Sequence, residues 1–351
     1  MTPHVQRRPG LDLLRIAAAA LVFFQHSYSA AGRDDLIDLG EFRVGRIGTA
    51  LFFALAGFLA AASARPPYRW FTDRVKTLFP AYWVVTVIAF LMAGISGTRQ
   101  FDIWQVICQM AGLGFFTHHE TMINVVTWFI TPLLLMYAGA LVARMIEPRW
   151  VACCILSVFV AMALLEPDAE PIVECHTVTF FAAFLAGGLR HERQRIALFA
   201  GSALAAVTAV TGLQGEFRYT AVALCAFGCS FWVCRRCAPA ERFTAIAYEW
   251  FLVHGLAIAV VTRISHRWEL FLPMGLAASL LAAFMVRSIV SRLRCAVPGL
   301  LRRMEHLLSL MIPGSRSPAV TRPAFSVPVC PQQDTHLTAP SAPNRPPAQI
   351  E

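Results

Sequence analysis

Long apolar runs alternate with short polar stretches along most of the chain. Each run is close to the length of about 17–25 residues that an apolar helix needs to cross a bilayer. The runs lie at 11–30, 46–64, 79–97, 127–143, 150–165, 176–190, 195–213, 218–234, 243–262 and 270–291. The pattern predicts an all-α fold, namely a polytopic transmembrane helical bundle of about ten spans.

An eleventh run at 101–117 is short and carries Asp102, Gln105 and Gln109. If it does not span, the loops on the N-terminal side hold the larger share of the basic residues, including Arg190, Arg193 and Arg195. Counting it as a span would move those arginines outside, against the cytoplasmic bias of basic loops. We therefore expect a re-entrant or interfacial segment at 101–117, with both termini cytoplasmic.

The character of the sequence changes near residue 296. A short amphipathic stretch is followed by nine prolines between Pro313 and Pro347. Such a segment cannot build a packed core. We expect a transmembrane domain over 1–295 and a cytoplasmic tail over 296–351, disordered in its Pro-rich part.

Composition supports a membrane protein, because 57% of the residues are hydrophobic and 15% are charged. The net charge of +9 is carried mainly by arginines in short loops, which indicates membrane orientation, and we expect no nucleic-acid partner. Cys234 and Cys237 form a C-x-x-C without a second ligand pair at a suitable spacing, so no metal site is expected.

Ionisable residues inside a membrane are costly, and the first span contains Asp12, Arg15 and His26. Eleven residues separate Arg15 from His26, which places them on one helix face about 16 Å apart. Asp12 lies one turn before Arg15 and can pair with it. The alternatives are an interfacial ion pair for Asp12 and an interhelical hydrogen bond for His26.

Two further polar groups, Glu249 and His254, lie in the span at 243–262. A neutral buried histidine is a competent general base, although spacing alone does not identify what it deprotonates. The loop at 65–76 alternates aromatic and basic residues and contains Arg74 and Lys76. It is either an interfacial belt or a cytosolic anion site, with Pro80 starting the next span or kinking it.

These segments resemble acyltransferase family 3, integral membrane enzymes that acylate surface carbohydrates. The similar segments are Gly10–Ala17 with His26-Ser27, Gly48–Phe58, Arg74 with Phe79–Tyr82, the set Asn124, Trp128 and Tyr137, then Phe180-Phe181 with Leu185–Gly188, and Tyr248 with Phe251, Leu252 and His254. Thr77, Leu133 and Ala247 depart from the family pattern.

The resemblance implies an acyl-CoA co-substrate, no bound cofactor, and a carbohydrate or glycolipid hydroxyl as acceptor, in the inner membrane. It assigns catalysis to His26, as general base or acyl relay, and to Arg15, which orients the donor. Substrate binding is expected of Arg74, Lys76, Asn124, Trp128, His254 and Asp12. The rival hypotheses are a proton-coupled transporter that uses the same polar residues, and a catalytically degenerate family member.

Overall fold

The structure is a computed structural model. It describes residues 9–39, 42–97, 102–117, 122–146, 150, 154, 155, 157, 172–188, 217–233, 241–265 and 267–311. Its helices are α1 (Pro9–Ala30), α2 (Val44–Ala61), α3 (Pro67–Ile95), α4 (Ile103–Met110), α5 (Gly114–Thr117), α6 (Ile130–Met145), α7 (Ile172–Gly188), α8 (Phe217–Val233), α9 (Glu241–Ile264) and α10 (Trp268–Met311). Two 3-10 turns, Asp34–Leu36 and Val125–Phe129, and a hairpin of two-residue strands, Asp38–Leu39 and Phe42–Arg43, complete the described elements.

The described helices make this a helical membrane protein. Five of them are long and apolar enough to cross a bilayer: Val44–Ala61, Pro67–Ile95, Val125–Met145, Phe243–Ile264 and Glu269–Arg294. Helices also occupy the predicted spans that begin at residues 11, 176 and 218. The span predicted at 195–213 lies outside the described residues, and that at 150–165 is described at four positions. The count of ten and the cytoplasmic termini stay predictions.

The segment expected as a cytosolic loop at 65–76 is mostly helical, which corrects the sequence interpretation. Helix α3 begins at Pro67, and Pro80 lies inside it rather than at its start. Proline fits the first turn of a helix because that turn has no partner for the missing N–H. The early start buries Trp70, which is 1% exposed, against α6 instead of leaving it at the membrane surface.

Residues 102–117 form two short helices rather than one long one. The break falls at Gly112, whose φ of 77° suits glycine. The side chains of α3 hold α4 in place: Tyr82 Oη donates to the Gln109 carbonyl, and Trp83 Nε1 donates to the Met110 carbonyl at 2.8 Å. The eight residues of α4 rise only about 12 Å, too little to cross a bilayer.

The centre of the bundle is built on small residues that let helix backbones touch. A Cβ at Gly57 of α2 would lie 2.0 Å from the Phe180 carbonyl oxygen of α7. A Cβ at Gly187 of α7 would lie 2.6 Å from the Phe58 carbonyl oxygen. On the other side of α2, Gly48 meets the Ala18 carbonyl of α1 in the same way. Close packing of this kind holds membrane helices together where no hydrophobic driving force exists.

The chain divides into two units, Met1–Val290 and Ser291–Glu351. The first contains all the helices through α9 and the N-terminal part of α10. The described part of the second is helical as far as Met311. The Pro-rich tail predicted after that point lies outside the described residues.

Candidate active site

The first and ninth predicted spans bring two histidines together. The ring centroids of His26 on α1 and His254 on α9 are 5.2 Å apart, with the rings inclined by 56°. His26 is exposed, whereas His254 is 1% exposed. His26 lies four residues before the end of α1, so it is near the end of the helix rather than at its middle. The pair therefore joins an accessible imidazole to a buried one.

The tautomer of His254 follows from its hydrogen bond. Its Nδ1 lies 2.8 Å from the Phe251 carbonyl oxygen. A carbonyl can only accept, so Nδ1 carries the hydrogen and a neutral ring leaves Nε2 with its lone pair. Nε2 is buried and has no hydrogen-bond partner in the described part of the chain. His254 therefore offers a proton acceptor next to His26.

Aromatic rings surround the buried histidine. Phe251 meets the His254 ring edge-on at 5.7 Å, and it also contacts Phe52 at 4.7 Å and Phe129 at 4.6 Å. These contacts come from α2, from the turn before α6, and from α9 itself. The result is an apolar wall that fixes the turn of α9 on which His254 lies.

Asn124, of which a substrate contact is expected, holds a carbonyl of α9 in the structure. It is 5% exposed, and its Nδ2 donates to the Leu252 carbonyl at 3.1 Å. Its Oδ1 would lie 3.4 Å from a Cβ placed at Gly255. The amide thus ties the turn before α6 to the two turns of α9 around His254. It acts as a positioning residue in the described geometry.

Trp128 lies on the same turn and stacks on a residue that the sequence interpretation missed. Its ring is 5.7 Å from that of His176 on α7, inclined by 29°, and His176 stacks on Phe53 from α2 at 4.7 Å. His176 is 2% exposed, and its Nδ1 has no hydrogen-bond partner among the described residues. The rule that singles out ionisable residues inside spans would have found it.

The first turns of α1, at the end where the donor is expected, carry the ion pair of Arg15 and Asp12. Arg15 NH1 lies 3.7 Å from Asp12 Oδ1, as the i,i+3 spacing predicts, and the two side chains are 30% and 14% exposed. The Asp12 carbonyl accepts from Thr244 Oγ1 of α9 at 3.4 Å. Arg74, the other arginine expected at the donor side, lies on α3 one turn after Trp70, whose ring contacts Tyr137 of α6 at 5.4 Å.

Lys76 lies two residues after Arg74 on α3, about 200° around the helix, and it is exposed. Thr77, at the position where the family pattern has a second arginine, donates Oγ1 to the Asp73 carbonyl of its own helix at 2.7 Å. Arg74 and Lys76 therefore face different sides of α3, and substrate binding by either stays a prediction.

Glu249 also lies apart from the histidines. It is five residues before His254, about 140° around α9, and its Oε1 is 3.9 Å from Arg287 NH1 on α10. Among the described residues, no three His, Cys, Asp or Glu side chains are grouped so as to hold a metal ion. The polar groups of the candidate site are therefore the pair of His26 and His254 near the end of α1, Arg15 with Asp12 near its start, and Arg74 on α3.

A family model described as an acyltransferase domain matches residues 8–291. The chain belongs to acyltransferase family 3. No significant match was found among curated proteins or among solved structures. The acyltransferase is thus a membrane enzyme, and the matched region contains His26, His254, Arg15 and Arg74.

Proposed function

We propose that this acyltransferase moves an acetyl group from cytosolic acetyl-CoA to a hydroxyl of a cell-surface or exported saccharide, in the inner membrane. The observation that carries the proposal is the contact between His26 and His254, on the helix whose other half carries the Arg15–Asp12 pair. Arg15 and His26 lie on one face of α1, about 16 Å apart along its axis.

The cytosolic end suits an anionic donor. Arg74 lies one turn after the buried Trp70 on the same face of α3, and Arg15 lies near the start of α1. Guanidinium groups bind phosphate through paired, charge-assisted hydrogen bonds. The pantetheine arm of acetyl-CoA is uncharged and flexible. It would lead from phosphates held at the arginines along α1 to a thioester beside His26.

The histidine pair suits transfer to a hydroxyl. His26, which is exposed, takes the proton of the acceptor hydroxyl as its oxygen attacks the thioester carbonyl. This attack forms the acyl C–O bond, the C–S bond then breaks, and the imidazolium returns the proton to the leaving CoA thiolate. His254 Nε2, the unprotonated nitrogen, can accept a hydrogen bond from His26 and hold its ring in place.

Trp128 suits the acceptor side. Its ring is stacked on His176 and is half-buried, which leaves part of an aromatic surface for a sugar ring. Binding sites for small molecules commonly combine such apolar surfaces with a few placed polar groups. In this proposal the saccharide reaches His26 from the side opposite to the donor.

The test is acetyl transfer by the purified enzyme in lipid nanodiscs, with CoA thiol release and acceptor mass followed together. His26→Ala should lower turnover by about 10²–10⁴-fold, the usual worth of general-base catalysis. Ser29→Ala, an exposed substitution on the same helix, is the matched control and should retain activity. Wild-type turnover in His26→Ala would refute this mechanism. The acceptor class is tested on cells that lack the protein: if their surface glycans carry the same acetyl groups as those of wild-type cells, the acceptor class is refuted.

A further inference from the structure

Arg144 lies in the last turn of α6, and the proposed function does not use it. In the structure it turns inward. Its NH2 donates to the Ser63 carbonyl at 2.9 Å and to the Arg65 carbonyl at 2.6 Å. The guanidinium carbon lies 5.0 Å from the centre of the Trp70 ring. The group is therefore fixed in one place by two carbonyls and an aromatic face.

The other nitrogen of this guanidinium is not satisfied. Arg144 NH1 is buried and has no hydrogen-bond partner in the described part of the chain. A buried charged donor without an acceptor is costly, since it loses water and gains nothing in exchange. A fixed cation with an unused donor is an arrangement that a bound anion would complete.

The surroundings of Arg144 are cationic. Trp70 contacts both Arg144 and Tyr137 on α6, with a ring distance of 5.4 Å to Tyr137. Arg74 is one turn after Trp70 on the same face of α3, the face that meets α6 through the Trp70–Tyr137 contact. Arg144 on α6 and Arg74 on α3 thus belong to the same surface between these two helices.

The nearby carboxylates are engaged elsewhere. Asp12 pairs with Arg15 on α1. Asp73, next to Arg74 in sequence, pairs with the exposed guanidinium of Arg65. Like charges on one surface repel each other, and an anion between them removes this repulsion. Arg74 and Arg144 are two such charges.

We propose that Arg144 is a ligand-binding residue that, together with Arg74, holds a phosphate group. Resting on the proposed function, the phosphate is one of those on CoA, and Arg144 adds a third arginine to the two expected from sequence. The same chemistry would also suit the headgroup of an anionic lipid at the cytoplasmic surface, so the experiment must separate these two sources.

The experiment measures binding to the full-length protein in nanodiscs made of zwitterionic lipid. The probes are CoA, pantetheine, which lacks every phosphate, and phosphatidylglycerol added to the nanodisc. Arg144→Gln should weaken CoA binding by about tenfold to a hundredfold, the worth of a charge-assisted hydrogen bond, and leave pantetheine binding unchanged. Arg144→Lys should recover part of the CoA affinity, because it restores the charge without the planar fork.

Arg69→Gln is the matched control, because it removes one exposed arginine from the same end of α3. It should change CoA binding less than threefold. A purely structural role of Arg144, through the Ser63 and Arg65 carbonyls, would weaken CoA and pantetheine alike and would overturn the proposal. If Arg144→Gln does not fold, Arg144→Lys provides the test. Its affinity for CoA, divided by its affinity for pantetheine, should be lower than the same ratio in the wild-type protein.

The outcomes separate the two proposals. If the wild-type protein binds no CoA, the donor assignment in the proposed function fails, and this inference fails with it. If CoA binds and its affinity is the same in Arg144→Gln, the inference alone fails. If the variant loses phosphatidylglycerol and retains CoA, the phosphate belongs to a lipid and the CoA assignment is overturned.

Discussion

Gly255 lies next to His254 on α9, and its replacement by alanine tests whether the turn before α6 must touch that helix. A Cβ at this position would lie 2.3 Å from Val126 Cγ2. Carbon atoms in contact prefer about 3.5–4.0 Å, so the turn would have to retreat by more than about 1 Å. Valine cannot easily rotate out of the way, because its χ1 is restricted. The displacement would carry Asn124 and Trp128 with it.

The expected effects can be put in numbers. Overpacking of this kind costs about 1–3 kcal/mol in unfolding free energy. A misplacement of about 1 Å at a catalytic centre can lower the rate about 10²-fold. We therefore expect Gly255→Ala to retain its fold, to unfold at lower temperature, and to lose most of its acyl transfer.

Val126→Ala supplies the rescue. It removes the clashing methyl and leaves the Val126 Cβ, which would lie 3.6 Å from the new carbon, an ordinary contact. The double variant should recover activity that the single variant loses, with a coupling energy of about 1–3 kcal/mol. Gly275→Ala is the control, because a Cβ there meets Phe23 at 3.6 Å and should be tolerated.

The assay is acetyl transfer by purified variants, with thermal unfolding recorded in the same lipid. The reasoning is refuted if Gly255→Ala transfers acetyl groups at the wild-type rate. It is also refuted if Val126→Ala does not restore the loss. Either result would mean that contact between α9 and the turn does not set the position of the site.

Three further predictions follow from single contacts. In Arg15→Lys, the fold increase in KM for the donor should be about ten times the fold decrease in kcat, because lysine keeps the charge and loses the planar fork. Steady-state kinetics over donor concentration test this. Gly57→Ala should prevent recovery of folded protein, because its Cβ would overlap the Phe180 carbonyl, whereas Gly94→Ala meets nothing within 4 Å and should fold normally, as size-exclusion profiles would show. Tyr248→Phe removes a 3.1 Å hydrogen bond to a carbonyl of α3 and should lower stability by about 1 kcal/mol, measured by thermal unfolding, without a comparable loss of activity.

Much of the fold could be predicted from sequence, because membrane spans are signalled by local apolar length. The Asp12–Arg15 pair was equally predictable, since its residues are neighbours on one helix. The start of α3 was not predicted, because the polar and aromatic composition of 65–76 obscured the signal of Pro67 at a helix start. A composition that suits a surface loop also suits the first turns of a helix that packs against α6.

The sequence selects candidate site residues one by one and does not predict how they are arranged. His26 and His254 were both selected because ionisable groups inside spans are costly. Their contact depends on how α1 and α9 pack, which no local pattern encodes. The same limit explains Asn124, whose amide holds the Leu252 carbonyl, and Arg144, whose inward turn depends on Trp70 of another helix.

The glycine contacts along α2 also constrain how the enzyme can move. Because the backbones of α1, α2 and α7 touch at Gly48, Gly57 and Gly187, these three helices form a unit without room for sliding. His26 belongs to this unit, whereas His254 and Arg74 lie on α9 and α3, which have no such glycine contact with it among the described residues. A change of shape that moved α9 against α1 would change the distance between the two histidines, and a spectroscopic label pair across these helices would report that change.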